Sequence, residues 1–244
     1  MSTVRICIWS GPRNISTALM YSFAQREDTL VFDEPLYAHY LSNIPAELKD
    51  RHPEADAVLN KMENDGEKVV KMMMGDFQQG AVKNVVFFKN MTHHLLGLDR
   101  GFMDDVINVI LTRDPVDMLP SFAQVIDNPS IEDVGYAAHV ELVEYLTERG
   151  KAPVVLDSRR ILENPEVELG RVCDVAGIDF DAAMLRWKAG ARKEDGVWAR
   201  HWYAGTHIST GFQKYNPKEA PFPEKLKPLL KECQICYEKL LQLA

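Results

Sequence analysis

Apolar residues fall along this chain in short blocks cut by turn-forming residues, and the spacing predicts the elements. "VRICIW" (4–9), bounded by Ser10, Gly11 and Pro12, predicts a buried strand. "STALMYSFAQRED" (16–28) has helical spacing, with Leu19, Met20 and Phe23 on the core face and Ser16 or Asn14 as the expected cap. "TLVFDEP" (29–35) predicts a second strand, stopped by Pro35. Residues 37–66 are polar and helix-like, and "GEKVVKMMM" (66–74) suits a strand or a helix. "NVVFFKNM" (84–91) and "DVINVILTRDP" (105–115) are the clearest strands. "THHLLGLD" follows the first as a helix start, and "VDMLPSFAQVI" follows the second as a helix. "VGYAAHVELVEYLTERG" predicts an amphipathic helix ending at Gly150. "APVVLDSRRI" (152–161) predicts another strand. "PEVELGRVCDVAGI" then predicts a helix opened by Pro165 and closed by Gly177. Residues 195–225 read as loop, and a last helix closes the chain.

Short apolar strands alternating with helices predict an α/β fold of three layers, a largely parallel sheet flanked by helices. No linker or repeat interrupts the pattern, so residues 1–244 are expected to form one domain. A net charge of -8 argues against a general affinity for nucleic acid, but leaves room for a basic pocket holding one small anion. No run of eighteen apolar residues is present, so no membrane partner is expected. The N-terminus enters the first strand without a basic flank and long apolar run, which makes the cytoplasm the expected location. Of the four cysteines, Cys233 and Cys236 form a CxxC. Their helical spacing with Leu226, Leu229, Leu230, Tyr237 and Leu240 predicts a packed, reduced helix, not a metal site.

Parallel sheets place ligands beyond the C-terminal ends of their strands. The corner "SGPRNIST" (10–17) stands there. A turn running straight into a helix leaves N–H groups unpaired, and these attract an anion together with the helix dipole. Gly11 allows close backbone approach, Arg13 offers a planar donor fork, and Ser16 and Thr17 add hydroxyls. The corner lacks the GK[ST] ending of an ordinary P-loop. A second candidate anion site is "TRDPVDMLPS", with Arg113 at a strand end and Ser121 eight residues on.

Taken together, these stretches resemble the sulfotransferase family, which uses 3'-phosphoadenosine 5'-phosphosulfate (PAPS). "GPRNISTAL" looks like that family's 5'-phosphosulfate loop, and "TRDPVDMLPS" like its 3'-phosphate motif. "FFKNMTHH" resembles the strand that carries a lysine and the catalytic histidine. "RKEDGVWARHWY" resembles the late loop in which Arg-Lys meets the 3'-phosphate. The resemblance spans Ser10 to Trp202 in the family's order. Ile15 and Glu194 depart from it, each standing where the family has glycine.

The resemblance implies a P-loop-like sulfotransferase fold. It implies cofactor binding by Gly11, Pro12, Arg13, Asn14, Ser16, Thr17, Arg113, Ser121, Arg192 and Lys193, with adenosine 3',5'-bisphosphate as product. It implies catalysis by His93 as base, Lys89 as donor to the sulfuryl oxygens and Arg13 at the leaving phosphate, with no metal. His94 and Glu34 stand as alternative bases. Trp198, Trp202, Tyr37, His39 and Tyr40 are candidate pocket residues, while Asp157, Arg159 and Arg160 are expected in structural ion pairs. The expected partner is a small hydroxyl or amine acceptor, and a homo-oligomer stays open. Two rival readings are a P-loop kinase-like phosphotransferase and a non-catalytic nucleotide-binding relative.

Overall fold

The computed structural model describes residues 3–77, 84–217 and 220–244. Lys218 and Glu219, within the stretch read as loop, lie outside them. Five strands form one sheet: β1 (Val4–Ser10), β2 (Thr29–Asp33), β3 (Val85–Met91), β4 (Ile107–Thr112) and β5 (Val154–Asp157). Their order is β2-β3-β1-β4-β5, and every pairing is parallel. The helices are α1 (Ser16–Phe23), α2 (Tyr37–Asn43), α3 (Ala46–Lys49), α4 (Ala55–Lys61), α5 (Gly66–Met73) and α6 (Pro115–Phe122). They continue as α7 (Ile131–Val134), α8 (Tyr136–Glu148), α9 (Ser158–Glu163), α10 (Pro165–Ala176), α11 (Ala199–Trp202), α12 (Ala204–His207) and α13 (Lys227–Leu241).

The sheet carries a core on each face because side chains alternate along a strand. Ile6, Ile8, Phe87, Val109 and Leu111 pack with Leu19, Met20 and Phe23 of α1 and with Leu169 and Val172 of α10. Cys7, Trp9, Phe88 and Ile110 face the other way, toward Val69 and Met73 of α5 and Leu142 and Leu146 of α8. Trp9 buries its indole N–H on Asn108 Oδ1 at 3.0 Å, and Asn108 donates in turn to the Met103 carbonyl. These bonds satisfy polar groups that burial would otherwise penalise. Among the described residues, no helix is long and apolar enough to cross a membrane.

Local chemistry settles several boundaries. "GEKVVKMMM" is helical because Asp65 caps it, accepting from the N–H groups of Glu67 and Lys68. The run "APVVLDSRRI" is a strand only to Asp157. There Asp157 accepts from the N–H groups of Arg159 and Arg160 and starts α9. Asp157 is therefore a helix cap that also takes the Tyr237 hydroxyl, not an ion-pair partner, while Arg159 pairs with Glu163. Asn14 and Ser16 do not cap α1. The N-cap position is Ile15, with no side-chain bond, because Asn14 is turned to the Leu111 carbonyl of β4 at 3.0 Å.

Candidate active site

The C-terminal ends of β1, β2 and β3 open onto a cavity of about 750 Å³. Its walls come from the turn after β1, the residue after β2, the turn after β3, the α2 and α7–α8 region, and the late segment around α11. This is where a parallel sheet gathers loop residues from distant points of the chain.

The turn after β1 carries Arg13 in a left-handed conformation, φ 54°. Non-glycine residues enter this region rarely, and here the surroundings hold the residue in place. Arg113, just past β4, donates to the Arg13 carbonyl at 2.8 Å. Arg13 Nε donates to Ser121 Oγ at 3.0 Å, and a terminal nitrogen reaches the Trp202 carbonyl at 3.3 Å. Arg13, Arg113 and Ser121 thus meet at one corner. Burial and the neighbouring Arg113 charge both disfavour the cationic form of Arg13. Among the described residues, neither guanidinium makes an ion pair with a carboxylate. Two cations crowded at an uncapped helix start are donors of the kind an anion accepts. Gly11, Pro12, Asn14, Ser16 and Thr17 line the same side of the cavity.

Another part of the lining is aromatic. Met91 ends β3, and Thr92–Leu95 form a single 3-10 turn. His93 is half-buried on the cavity, its ring 4.6 Å from that of Tyr40. His94 is fully buried and stacks on Tyr37 at 5.0 Å, with neither ring nitrogen hydrogen-bonded. Its Nε2 stands 3.8 Å from Glu34 Oε2. Burial holds both imidazoles neutral. His93 is lowered to about 3, with the neighbouring His52 adding to the effect, and His94 lies well below its ordinary value. Burial raises the Glu34 carboxyl; Lys89 opposes this and Asp33 reinforces it. Glu34 also has a left-handed backbone, φ 48°, pinned by its N–H on the Lys89 carbonyl at 2.7 Å.

Lys89 is 1% exposed. Its ammonium donates to Asp33 Oδ1 at 2.8 Å, Glu34 Oε1 at 2.5 Å and Tyr203 Oη at 2.7 Å. Parallel register puts Asp33 of β2 directly beside Lys89 of β3.

Other expected residues fall differently. Trp198, Trp202, Tyr37 and Tyr40 line the cavity, whereas His39 is turned away onto the Leu96 carbonyl at 2.8 Å. Arg192 lies over the Tyr21 ring, 4.5 Å from its centroid, and its buried Nε has no partner. The Lys193 side chain is 90% exposed and sits near Glu194. Of the expected cofactor residues, Gly11, Pro12, Arg13, Asn14, Ser16 and Thr17 border the cavity, whereas Arg113, Ser121, Arg192 and Lys193 do not. The residues that sequence reading missed are Asp33 and Tyr203, which complete the Lys89 cluster, and His52, whose Nδ1 meets the Tyr37 hydroxyl at 3.0 Å. Asp33 stood in "FDEP" at a strand end and Tyr203 closed the late-loop stretch "RKEDGVWARHWY", but nothing in either pattern pointed to Lys89.

Comparison with known proteins agrees with this architecture. A solved sulfotransferase domain from the curacin biosynthetic pathway covers 98% of both chains with a TM-score of 0.59 at 13% identity, a likeness of fold. Two Arabidopsis thaliana proteins, branched-chain-amino-acid aminotransferase-like proteins 2 and 1, are 40% identical over 233 residues and 44% identical over 214. The matches cover 95% and 87% of this chain but only 40% and 37% of those proteins, so the chain spans about two fifths of their length. The family profile described as sulfotransferase domain matches residues 4–242, and the chain belongs to that family.

Proposed function

We propose that the chain transfers a sulfuryl group from PAPS to a hydroxyl or amine of a small acceptor. The observation that carries this reading is the contact of Arg113 with Arg13 at the uncapped start of α1, Arg13 bordering a cavity that His93 also lines. Paired guanidiniums with no carboxylate partner fit phosphate groups. The buried, unpartnered Nε of Arg192 is a further donor of the right kind. In this reading the turn Gly11–Asn14, with Ser16 and Thr17, holds the 5'-phosphosulfate side. Arg113 and Ser121 hold the 3'-phosphate; Arg192, now over Tyr21, and Lys193, now beside Glu194, join them only if the late loop shifts on binding.

PAPS supplies an activated sulfuryl group. The protein's part is to hold the anion in place, keep the acceptor in line with it and remove the acceptor's proton. Arg13 stabilises charge on the departing phosphate. His93 reaches the cavity in neutral form, as a base must, but its pKa of about 3 makes it a weak base by itself, so the role requires the bound anion beside it to raise its proton affinity. A second reading of the base rests on the 3.8 Å approach of Glu34 to His94, a carboxylate–imidazole couple that also lines the cavity. The name of the plant relatives is not carried over as an activity, because this chain matches only part of their length and its own profile match is to the sulfotransferase domain.

A thermal-shift series tests the cofactor class. Adenosine 3',5'-bisphosphate at millimolar concentration should raise Tm without magnesium, by mass action. A larger shift with ATP and magnesium would replace this reading with the kinase-like one. No shift with any nucleotide would remove the cofactor-binding reading altogether.

A further inference from the structure

We propose that Lys89 is a positioning residue and not a donor to the transferred group: with Asp33 and Tyr203 it forms a buried latch that fastens the 196–203 segment over the cavity. The latch follows from geometry alone; what it serves rests on the function proposed above.

An ammonium has three protons. Those of Lys89 go to Asp33, Glu34 and Tyr203, at 2.8, 2.5 and 2.7 Å. Reaching a sulfuryl oxygen would mean breaking one of these bonds inside a cluster almost closed to water. That step would leave a buried carboxylate or phenol without its partner, a costly change. Charge counts the same way. One ammonium faces two carboxylates, so the cluster has no spare positive charge for a developing anion. Arg13, which has no carboxylate partner, is the cation that does.

The far half of the cluster belongs to the late segment. A phenol has one proton and two lone pairs, and the Tyr203 hydroxyl uses them all. It donates to Asp33 at 2.8 Å and accepts from Lys89 at 2.7 Å and from Trp198 Nε1 at 2.9 Å. The other Asp33 oxygen accepts from the Gly196 N–H at 2.9 Å. Gly196, Trp198 and Tyr203 are thereby tied to the ends of β2 and β3. The same segment lends the Trp202 carbonyl to Arg13, and Trp198 and Trp202 form part of the cavity wall. On the near side, Lys89 holds Glu34 twice, by its carbonyl and by its ammonium. One residue therefore sets the strained Glu34 corner and the lid that meets Arg13.

Two measurements on the full chain decide the matter. The first is amide hydrogen exchange without ligand, comparing wild type with Tyr203→Phe and Lys89→Met. Tyr203→Phe removes one oxygen and leaves the Lys89–Asp33 pair in place. It removes three hydrogen bonds, to Asp33 and from Lys89 and Trp198, so exchange across residues 192–207 should speed by at least roughly 2–10-fold, the size of one lost hydrogen bond, while β1 and β4 stay protected. Unchanged exchange in that segment would overturn the latch. The second is calorimetric binding of PAPS and of adenosine 3',5'-bisphosphate, which lacks the sulfuryl group. In Lys89→Met both affinities should fall by a common factor. A loss confined to PAPS would place Lys89 on the sulfuryl group and overturn the proposal. If Lys89→Met does not fold, Tyr203→Phe supplies both readouts. If wild type binds neither nucleotide, the function proposed above fails, and exchange still decides the latch.

Discussion

At the scale of single residues, the corner that holds Arg13 is shaped by Arg113. Its guanidinium is spent partly on the Arg13 carbonyl, so it both fixes a left-handed backbone and supplies charge. Arg113→Ala should weaken adenosine 3',5'-bisphosphate by about 2–4 kcal/mol, the usual scale for truncating a charge-assisted donor. Calorimetry beside a melting curve checks this; unchanged affinity with a collapsed Tm would make Arg113 a purely structural residue. His93→Ala should lower kcat roughly 10²–10⁴-fold once an acceptor is in hand, with bisphosphate affinity unchanged. A larger loss in His94→Ala or Glu34→Gln would move the base to that couple. Arg13, Arg113 and Ser121 were legible in the sequence because each is tied to a strand end by short spacing. The partners of Lys89 were not: Asp33 is 56 residues from it and Tyr203 is 114, and neither separation is a local pattern. Asp33 depends on strand register, and Tyr203 on how a loop-rich tail folds back.

At the scale of elements, the strands and most helices were readable because apolar runs bounded by Gly, Pro or Asp have few alternatives. What was not readable was competition for the same side chain. Asn14 is as good a cap as any by type, yet the Leu111 carbonyl takes its amide, while Ser158 donates to its oxygen at 3.3 Å. The missing side-chain cap leaves the N-terminal end of α1 without the bond that Asn14 or Ser16 would have made, as the proposed anion site requires. Packing behind that turn is close. A Cβ at Gly11 would stand 2.7 Å from the Val134 carbonyl oxygen, at the junction of α7 and α8. That oxygen is backbone and cannot swing aside. Gly11→Ala should therefore push the turn off α8, costing about 1–3 kcal/mol of stability as overpacking does. It should also weaken bisphosphate binding, because Arg13 moves with the turn. Urea unfolding and calorimetry read the two effects separately. Full stability with full affinity would show that the junction yields without cost.

At the scale of the whole molecule, the stability of the helix layer behind the Gly11–Asn14 turn is expected to depend on pH through a histidine. His139 of α8 is 1% exposed, and its ring lies against Gly11. Burial lowers its pKa to about 4, with a contact to the Ser10 backbone opposing. The unfolded value is about 6.5. Between these two values the unfolded chain binds more protons than the folded one, so stability rises with pH there. The contribution is complete above about pH 6.5 and is lost as pH falls through that value toward 4. It is on the order of 3 kcal/mol, at about 1.36 kcal/mol per unit. His52 and His93, lowered to about 4 and about 3, act in the same direction, while Glu34 is shifted upward and acts oppositely. A comparison of slopes, not of levels, isolates His139. Urea unfolding of wild type and His139→Leu at pH 7 and pH 4.5 should show a smaller acid loss in the variant, whatever its stability at neutral pH. Equal losses would assign the acid sensitivity to groups other than His139, with His52, His93 and His94 among them. A smaller loss would assign part of the acid sensitivity to His139, whose ring lies against the turn at Gly11; if the turn binds the bisphosphate as proposed, its affinity should then decline over the same interval in wild type but less in the variant.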